Sequence, residues 1–148
     1  MSTFRENPND DRIGYLLKVA QNALRVQMDE ALRPLGITAP QYAVLAAIER
    51  VPGLSSAALA RAAFVTAQTM QGIVVNLELQ GLLSRTADPA HGRIRRAALT
   101  GEGRRTVDAA HRLVDAVERR MLDGLDREGM GALAAMLARC AANLGAGP

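Results

Sequence analysis

Aromatic side chains are scarce in this chain, which has 148 residues, no tryptophan, two tyrosines and two phenylalanines. Binding that depends on stacking bases against a run of aromatic rings is therefore not expected. Long apolar runs are also lacking, and none approaches the roughly 20 residues that a membrane-spanning helix needs. The opening segment MSTFRENPNDDR has neither the basic start nor the apolar centre of a signal peptide, so we expect a cytoplasmic protein without a membrane partner.

Motifs of catalysis are lacking as well. The sequence has no GxSxG nucleophile motif, no P-loop and no glycine-rich dinucleotide motif, which argues against an enzyme, and we expect no cofactor. The single cysteine, Cys140, cannot form an internal disulfide bond. Its place on the apolar stripe of the last predicted helix favours a core position, and a thiol-based redox-sensing regulator is the alternative interpretation.

One histidine stands at a spacing that a metal site could use. His111 follows Asp108 by three residues and precedes Asp115 by four, so the three side chains lie near one helical face. The only other histidine, His91, falls in a predicted turn far along the chain. We therefore expect no metal site and a solvated helix face around His111.

Positive charge is concentrated in one stretch of the sequence. Between Arg85 and Arg105 six arginines stand against two acidic residues, a balance of +4. The remaining residues include twelve basic and thirteen acidic side chains, a balance of −1. Local positive charge of this kind indicates a polyanionic partner.

The first half of the chain predicts four helices. Apolar residues that recur every three or four positions predict a long first helix over residues 11–35. Thr38 and Gln41 stand in capping-box spacing and predict the start of a second helix. A serine at Ser55 or the next position can cap a short third helix, and Thr66 can cap a fourth. Two short helices joined by a brief turn are typical of a helix-turn-helix, although two ordinary core helices would give the same apolar pattern.

A basic hairpin follows the fourth predicted helix. The segment LLSRTA is predicted as one strand, DPAHG as the turn and RIRRAAL as the returning strand. Strand alternation would place Arg93 and Arg95 on one face, and Arg96 on the other face with Ile94. A solvated hairpin that merely closes a small sheet is the alternative. A helix-turn-helix followed at once by a basic hairpin favours DNA binding.

Two helices with heptad-like apolar stripes complete the chain. Thr100 predicts the start of a fifth helix with a stripe over Val107–Met121, and Asp126 that of a sixth with a stripe over Leu133–Leu144. The expected fold is mainly α with a small β hairpin, in a single domain over residues 1–148. We expect the stripes to be buried between chains in a dimer, and an intramolecular helix hairpin is the alternative.

The order of these elements resembles the MarR (multiple antibiotic resistance regulator) family of winged helix-turn-helix transcription regulators. GITAPQYAVL is similar to the start of the family's second helix, LARAAFVTAQTMQGIVVNLELQGLLSR to its helix-turn-helix, and DPAHGRIRRAALTGEG to its wing. The resemblance implies a homodimer in which the long terminal helices, over residues 11–35 and 100–144, form the dimerisation region. The winged helix-turn-helix over residues 38–99 would be the DNA-binding part.

The resemblance also implies roles in DNA binding. A recognition helix enters the major groove, and a wing arginine, here Arg93 steadied by Asp88, reaches toward the minor groove. On the exposed face of the fourth predicted helix, Gln68 and Gln71 offer amides to base edges, adenine being the usual match. Hydroxyl groups at the start of this helix can donate to phosphate, and they belong to Thr66 and Thr69.

Gly72 departs from the family's pattern, in which an arginine or lysine often stands at this position. Glycine inside a helix costs roughly 1 kcal/mol relative to alanine, so it needs a reason. It either lets DNA approach closely or marks a contact with another helix. Binding energy is expected to shift toward the wing, where Arg95 or Arg96 would contact phosphate beside Arg93.

The expected function is sequence-specific binding of double-stranded DNA by a homodimeric repressor at a near-palindromic operator. The resemblance implies relief of repression by a small aromatic or phenolic ligand, in a pocket lined by Tyr15, Met28, Tyr42 and His111. The alternative is a winged-helix module that binds an acidic protein partner. The absence of basic residues from the predicted recognition helix supports that alternative.

Overall fold

A computed structural model describes residues 12–146 of the chain as six α-helices and one two-stranded antiparallel sheet. The mainly α fold with a small hairpin is therefore confirmed, while residue 11 of the predicted first helix lies outside the described residues. The elements are α1 (Ile13–Leu32), a 3₁₀ turn (Arg33–Leu35), α2 (Ala39–Arg50), α3 (Ser56–Ala62), α4 (Ala67–Leu79), β1 (Leu83–Ala87), β2 (Arg95–Leu99), α5 (Gly101–Met121) and α6 (Arg127–Asn143).

The first helix ends three residues before the predicted boundary. Pro34 has no N–H to donate and its ring would meet the carbonyl of residue 30, so the α-helix gives way to the 3₁₀ turn. Gly36 closes this turn with φ 71°, a left-handed conformation that favours glycine. The Asp29 carboxylate then accepts the Ala39 N–H at 2.7 Å and joins the end of α1 to the start of α2.

Side-chain caps begin the helices where the sequence predicts them. Thr38 accepts the Gln41 N–H while the Gln41 side chain accepts the Thr38 N–H, which completes the capping box of α2. Caps of the same kind, in which an oxygen accepts the N–H three residues on, begin α3, α4, α5 and α6, and they belong to Ser55, Thr66, Thr100 and Asp126. Local hydrogen bonding thus fixes the helix starts.

The hairpin is shorter than predicted, with Leu83 opposite Leu99 and Ala87 opposite Arg95. The returning strand loses its first two predicted residues because the turn takes up seven positions and not five, and the first strand begins one residue later than predicted, at Leu83. The Asp88 N–H donates to the Ile94 carbonyl at 2.8 Å, and this bond closes the turn. Arg93 and Ile94 therefore belong to the turn, and the predicted alternation of Arg93 with Arg95 on one strand face is wrong.

The core lies among the helix-turn-helix, the sheet and the first part of α5. Its largest fully buried side chains are Leu32, Leu45, Ile48, Leu59, Met70, Leu77, Val44, Val74 and Val107. Gly103 reaches this core only because it lacks a side chain, since a Cβ at this position would overlap the backbone carbonyl of Leu82. The Thr100 hydroxyl donates to the Gly81 carbonyl at 2.6 Å and fixes the same junction.

The apolar stripe of α5 differs from the prediction. Val107 and Ala110 are fully buried in the core of their own chain, so they cannot form a seam between chains, whereas Met121 at the end of the stripe is 47% exposed. The chain divides into two compact units between Val117 and Glu118. The first part of the stripe thus belongs to the core of the first unit.

The second unit contains α6, which has no buried residue. The side chain of Cys140 is exposed, so its predicted core position within this chain is wrong. The reason is that the apolar stripe of α6 lies at the surface of this chain, with Met136 and Leu137 also exposed. No helix among the described residues is long and apolar enough to cross a membrane.

Candidate nucleic-acid interface

The helix α4 presents to solvent an uncharged face that carries three side-chain amides. The periodicity of this helix predicts an inner stripe of Met70, Ile73, Val74 and Leu77; Ile73 is partly buried, and the other three are completely buried. The predicted outer residues are all exposed, and they are Ala67, Gln68, Gln71, Gly72, Val75 and Asn76. The core stripe therefore fixes which amides point away from the protein, as the periodicity predicts.

Two hydroxyl groups lie together at the N-terminus of α4. The Thr66 oxygen accepts the Thr69 N–H at 3.1 Å, and its hydroxyl lies 3.0 Å from the Thr69 hydroxyl oxygen. With Thr66 donating in this pair, the Thr69 hydroxyl keeps its own hydrogen for another acceptor. Unpaired backbone N–H groups and the helix dipole make this end of α4 suitable for a phosphate group.

Gly72 lies on the exposed face of α4 with open space around it. A Cβ built on Gly72 would meet no atom of the described chain within 4 Å outside its own helical surroundings. The hypothesis that this glycine marks a contact between helices of one chain is therefore wrong. The other hypothesis, that Gly72 lets DNA approach the backbone of α4 closely, remains a prediction.

The one acidic residue of α4 is neutralised by the wing. The Glu78 carboxylate accepts from Arg85 on β1, with Oε1 lying 2.7 Å from Nε and 2.6 Å from a terminal guanidinium nitrogen. The Arg85 side chain is only 14% exposed. This pair removes one negative charge from the recognition surface and attaches the first wing strand to α4.

Asp88 organises the turn of the wing through two contacts. Its Oδ1 accepts the Ala90 N–H at 2.8 Å, and its Oδ2 accepts from the Arg96 guanidinium at 2.8 Å. These two hydrogen bonds, the first being the stronger influence, hold the pKa of Asp88 below its usual range. The resemblance implied that Asp88 steadies Arg93, whereas the arginine it binds is Arg96.

Arg96 also ties the wing to the loop after α2, because its guanidinium donates to the Gly53 carbonyl at 3.0 Å. Arg95 donates to the Arg85 carbonyl on the opposite strand at 3.0 Å. Arg93 is exposed in the turn and, within residues 12–146, makes no side-chain hydrogen bond or ion pair. Of these three predicted DNA contacts, only Arg93 has a guanidinium that bonds to no other part of the described chain.

A second polar constellation lies between α2 and α5. The Tyr42 hydroxyl is 2.8 Å from His111 Nδ1, and His111 Nε2 is 2.7 Å from the Glu49 carboxylate. A neutral imidazole satisfies both contacts when Nε2 carries the hydrogen. His111 is therefore held against α2 with its side chain 36% exposed, so the expected solvated helix face is observed for Asp108 and Asp115 and only in part for His111.

The structure brings together two of the four predicted pocket residues. A cavity of about 350 Å³ adjoins this constellation, with a wall formed by Tyr42, Ala43, Ala46, Ala47, Arg50, Ala62 and His111. Tyr15 lines a different cavity, near the start of α1, and Met28 packs against the core. Sequence reasoning missed Arg50, although the spacing of Tyr42, Ala46 and Arg50 by four residues places them on one face of α2.

Comparison with known proteins identifies the family. A model of the MarR family matches residues 35–94. The HTH-type transcriptional repressor Rv2887 of Mycobacterium tuberculosis is 40% identical over 114 residues, which are 77% of this chain and 82% of that protein. This chain belongs to the MarR family. It is therefore a transcriptional regulator of the winged-helix class and not an enzyme.

Solved structures of MarR-like regulators have the same fold. The Mycobacterium tuberculosis MarR family protein Rv2887 in complex with salicylic acid is 37% identical, with 89% of this chain and 98% of that chain covered and a TM-score of 0.73. The transcriptional repressor CouR bound to a 23-mer DNA duplex is 29% identical, with 95% and 99% covered and a TM-score of 0.85.

Proposed function

We propose that this chain is a homodimeric transcriptional repressor that binds a near-palindromic site in double-stranded DNA and releases it when a small aromatic acid binds. The observation that carries the proposal is that an uncharged, amide-bearing face of α4 stands beside a wing whose Arg93 guanidinium has no partner among residues 12–146. Similarity to the repressor Rv2887 and to CouR, whose structure contains a DNA duplex, supports it. The DNA-binding part would span residues 38–99.

On this surface, different residues would contact the base edges and the phosphate groups of the DNA. Gln68 and Gln71 each carry an amide with a donor and an acceptor, which matches the major-groove edge of adenine. Phosphate groups would bind at the N-terminus of α4, beside Thr66 and Thr69. Arg93 would enter the minor groove, where a narrow groove concentrates negative potential. The neutral Glu78–Arg85 pair keeps repulsion from phosphate low.

Dimerisation would cover apolar side chains that one chain leaves in solvent. Ile13 and Leu16 on α1 are 66% and 48% exposed, and Met136 and Leu137 on α6 are 59% and 43% exposed. Single exposed leucines are common on protein surfaces, but apolar stripes of this length on helices favour burial against another chain. The dimerisation region would thus use the helices within residues 11–35 and 100–144.

The effector would occupy the cavity beside Tyr42 and His111. Its volume of about 350 Å³ lies within the range typical of small-molecule pockets. The Arg50 guanidinium, on the cavity wall, would bind the carboxylate of an aromatic acid, and the apolar alanine side chains would contact its ring. The salicylic acid complex of Rv2887 supports this ligand class.

Selection of bound sites from a random pool of duplex DNA tests the reading of sequence by α4. Wild type should enrich a near-palindrome with half-sites about one helical turn apart. Gln71→Ala should enrich a motif that is relaxed at one position per half-site, because an amide contact contributes roughly 1–3 kcal/mol of discrimination. Asn76→Ala removes an exposed amide more than one turn further from the N-terminal part of α4, which would contact the bases, so it is the matched control and should leave the motif unchanged.

Two outcomes would contradict the proposal. If wild type enriches no motif, the chain is not a sequence-specific regulator, and binding of an acidic protein by the winged helix becomes the better explanation. If both variants enrich the wild-type motif, Gln71 does not read bases. A lower melting temperature for Gln71→Ala with an equal loss of affinity for every sequence would instead assign Gln71 to the fold.

A further inference from the structure

The turn between α3 and α4 contains a backbone conformation that its residue disfavours. Phe64 has φ 55°, and it is the only non-glycine residue with a positive φ among residues 12–146. A bulky side chain in the left-handed region crowds the backbone, which is why glycine or asparagine usually occupies such positions. Nothing in the core requires phenylalanine here, because the neighbouring Val65 packs against the core in its place.

The ring of Phe64 is also almost completely in solvent. The residue is 94% exposed, the largest exposure of any large apolar residue described. The folded chain therefore bears a strained backbone and an exposed aromatic ring at one position, and neither improves the packing of this chain. Strain that the fold does not use is a sign of a functional position.

Phe64 lies at the end of α4 that the proposed interface presents to DNA. It precedes the N-cap Thr66 by two residues, and Gln68 follows within the first turn of the helix. Its backbone is fixed, since the Phe64 N–H donates to the Arg61 carbonyl at 3.3 Å and the Val65 N–H to the Ala60 carbonyl at 3.1 Å. The ring is thus carried on an ordered turn beside the recognition helix.

The surroundings of the ring favour DNA over a protein partner. Arg61, Thr66, Gln68 and Thr69, all within five residues of Phe64 in the sequence, are exposed, and the only other exposed apolar residues in this stretch are the small Ala62 and Ala67. Phe64 is therefore the one large exposed apolar side chain in a stretch that also carries polar groups and a positive charge. A protein partner would call for a contiguous apolar patch. The major groove has the complementary pattern, in which the thymine methyl group is an isolated apolar feature between polar base edges and phosphates.

We propose that Phe64 packs against the 5-methyl group of one thymine in each half-site and so makes the protein select thymine there. This inference rests on the proposed function, since it needs a DNA site. It adds an apolar contact to the amide contacts of Gln68 and Gln71. It also explains why the turn retains phenylalanine in a conformation that glycine would adopt without strain.

Replacement of thymine by deoxyuridine tests this inference, because it removes only the methyl group. In the site that wild type selects from a random pool, each thymine is replaced in turn and the affinity is measured. At one thymine position in each half-site, the single replacement should weaken wild-type binding about 4-fold, which is the effect of one lost methyl contact. The same replacement should have no effect on Phe64→Ala. Leu79→Ala, which truncates another exposed apolar residue of the same segment, is the control and should respond as wild type does.

A second variant separates the DNA contact from folding. Phe64→Gly removes the strain at positive φ, so this variant should unfold at the same temperature as wild type or a higher one. Its affinity for DNA should no longer depend on the thymine 5-methyl group. Three results would overturn the inference: an unchanged deoxyuridine effect in Phe64→Ala, a selected site without such a thymine, or conversion of Phe64→Ala to monomer in light scattering. Failure of wild type to select any motif would overturn the proposed function together with it, whereas the first three results leave that function intact.

Discussion

Replacing Gly72 by alanine is expected to stabilise the folded chain and to weaken its binding to DNA. Gly72 lies inside α4, and a Cβ at this position would meet no atom of the described chain within 4 Å beyond its own helical surroundings. The substitution therefore carries no steric cost in the free protein. Alanine should add about 1 kcal/mol to the free energy of unfolding, the difference between the two helix propensities.

On DNA the same methyl group should be unfavourable. If the backbone of α4 approaches the base edges at Gly72, the added carbon occupies space that the DNA needs. If the added methyl group pushes the helix away from the DNA and one hydrogen bond between uncharged groups is lost in each half-site, each loss costs about 1 kcal/mol. With two half-sites, the affinity of the dimer for DNA should fall roughly 10- to 30-fold. The two effects have opposite signs, which general destabilisation of the protein cannot produce.

Thermal unfolding and titration of the selected DNA site measure both effects on the same samples. The melting temperature should rise by about 3 °C for a chain of this length. Gly131→Ala is the matched control, because Gly131 lies inside α6 and its surroundings are equally open. It should stabilise the protein to a similar extent without any change in DNA affinity. A stabilised Gly72→Ala that binds DNA as wild type does would refute close approach at this position.

Other substitutions test the remaining parts of the molecule. Gly103→Ala should lower the free energy of unfolding by about 2 kcal/mol in denaturant titrations, because the new Cβ would overlap the Leu82 carbonyl. Arg93→Ala should reduce the slope of log affinity against log salt by about 0.9 per wing, and an unchanged slope would remove Arg93 from the DNA interface. Leu137→Asp should give a monomer in light scattering, whereas a wild type that is itself monomeric would exclude the dimer. The pKa of Asp88 is lowered, chiefly by the hydrogen bond from the Ala90 N–H, so its contribution to the wing should persist from neutral pH down to the ordinary aspartate pKa of 3.8 and be lost only at lower pH. The chemical shift of the Ala90 amide, which donates to Asp88, reports this titration, and a midpoint above the ordinary aspartate pKa of 3.8 would contradict the assignment.

The parts of the fold that depend on neighbouring residues could be predicted from the sequence. A helix cap needs only an oxygen and an N–H three residues away, so Thr38, Thr66 and Asp126 could be assigned from spacing alone. The buried and exposed faces of α4 followed from the 3.6-residue period for the same reason. The order of the elements followed from these local signals, and the resemblance to the MarR family then implied how they are arranged.

Contacts that depend on the path of the chain could not be predicted. Arg96 binds the Gly53 carbonyl, which lies 43 residues earlier, and this contact exists only because the wing folds back on the loop after α2. His111 likewise meets Tyr42 across 69 residues. An apolar stripe gives no information about which surface covers it, and for this reason Val107 was assigned to a dimer seam although it lies in the core of its own chain.

Contacts within the chain also neutralise part of the positive charge of the basic stretch between Arg85 and Arg105. Three of its six arginines are paired with carboxylates in this chain, and these pairs are Arg85 with Glu78, Arg96 with Asp88 and Arg105 with Glu102. The excess of +4 in the sequence is therefore not a measure of the charge offered to DNA. Arg96 orders the turn through Asp88, and Arg93, in the same turn, has no side-chain partner in the part of the chain that the structure describes. Alanine at either position should weaken DNA binding for different reasons, because the first change releases the turn and exposes a carboxylate, whereas the second removes the charge and leaves the turn intact.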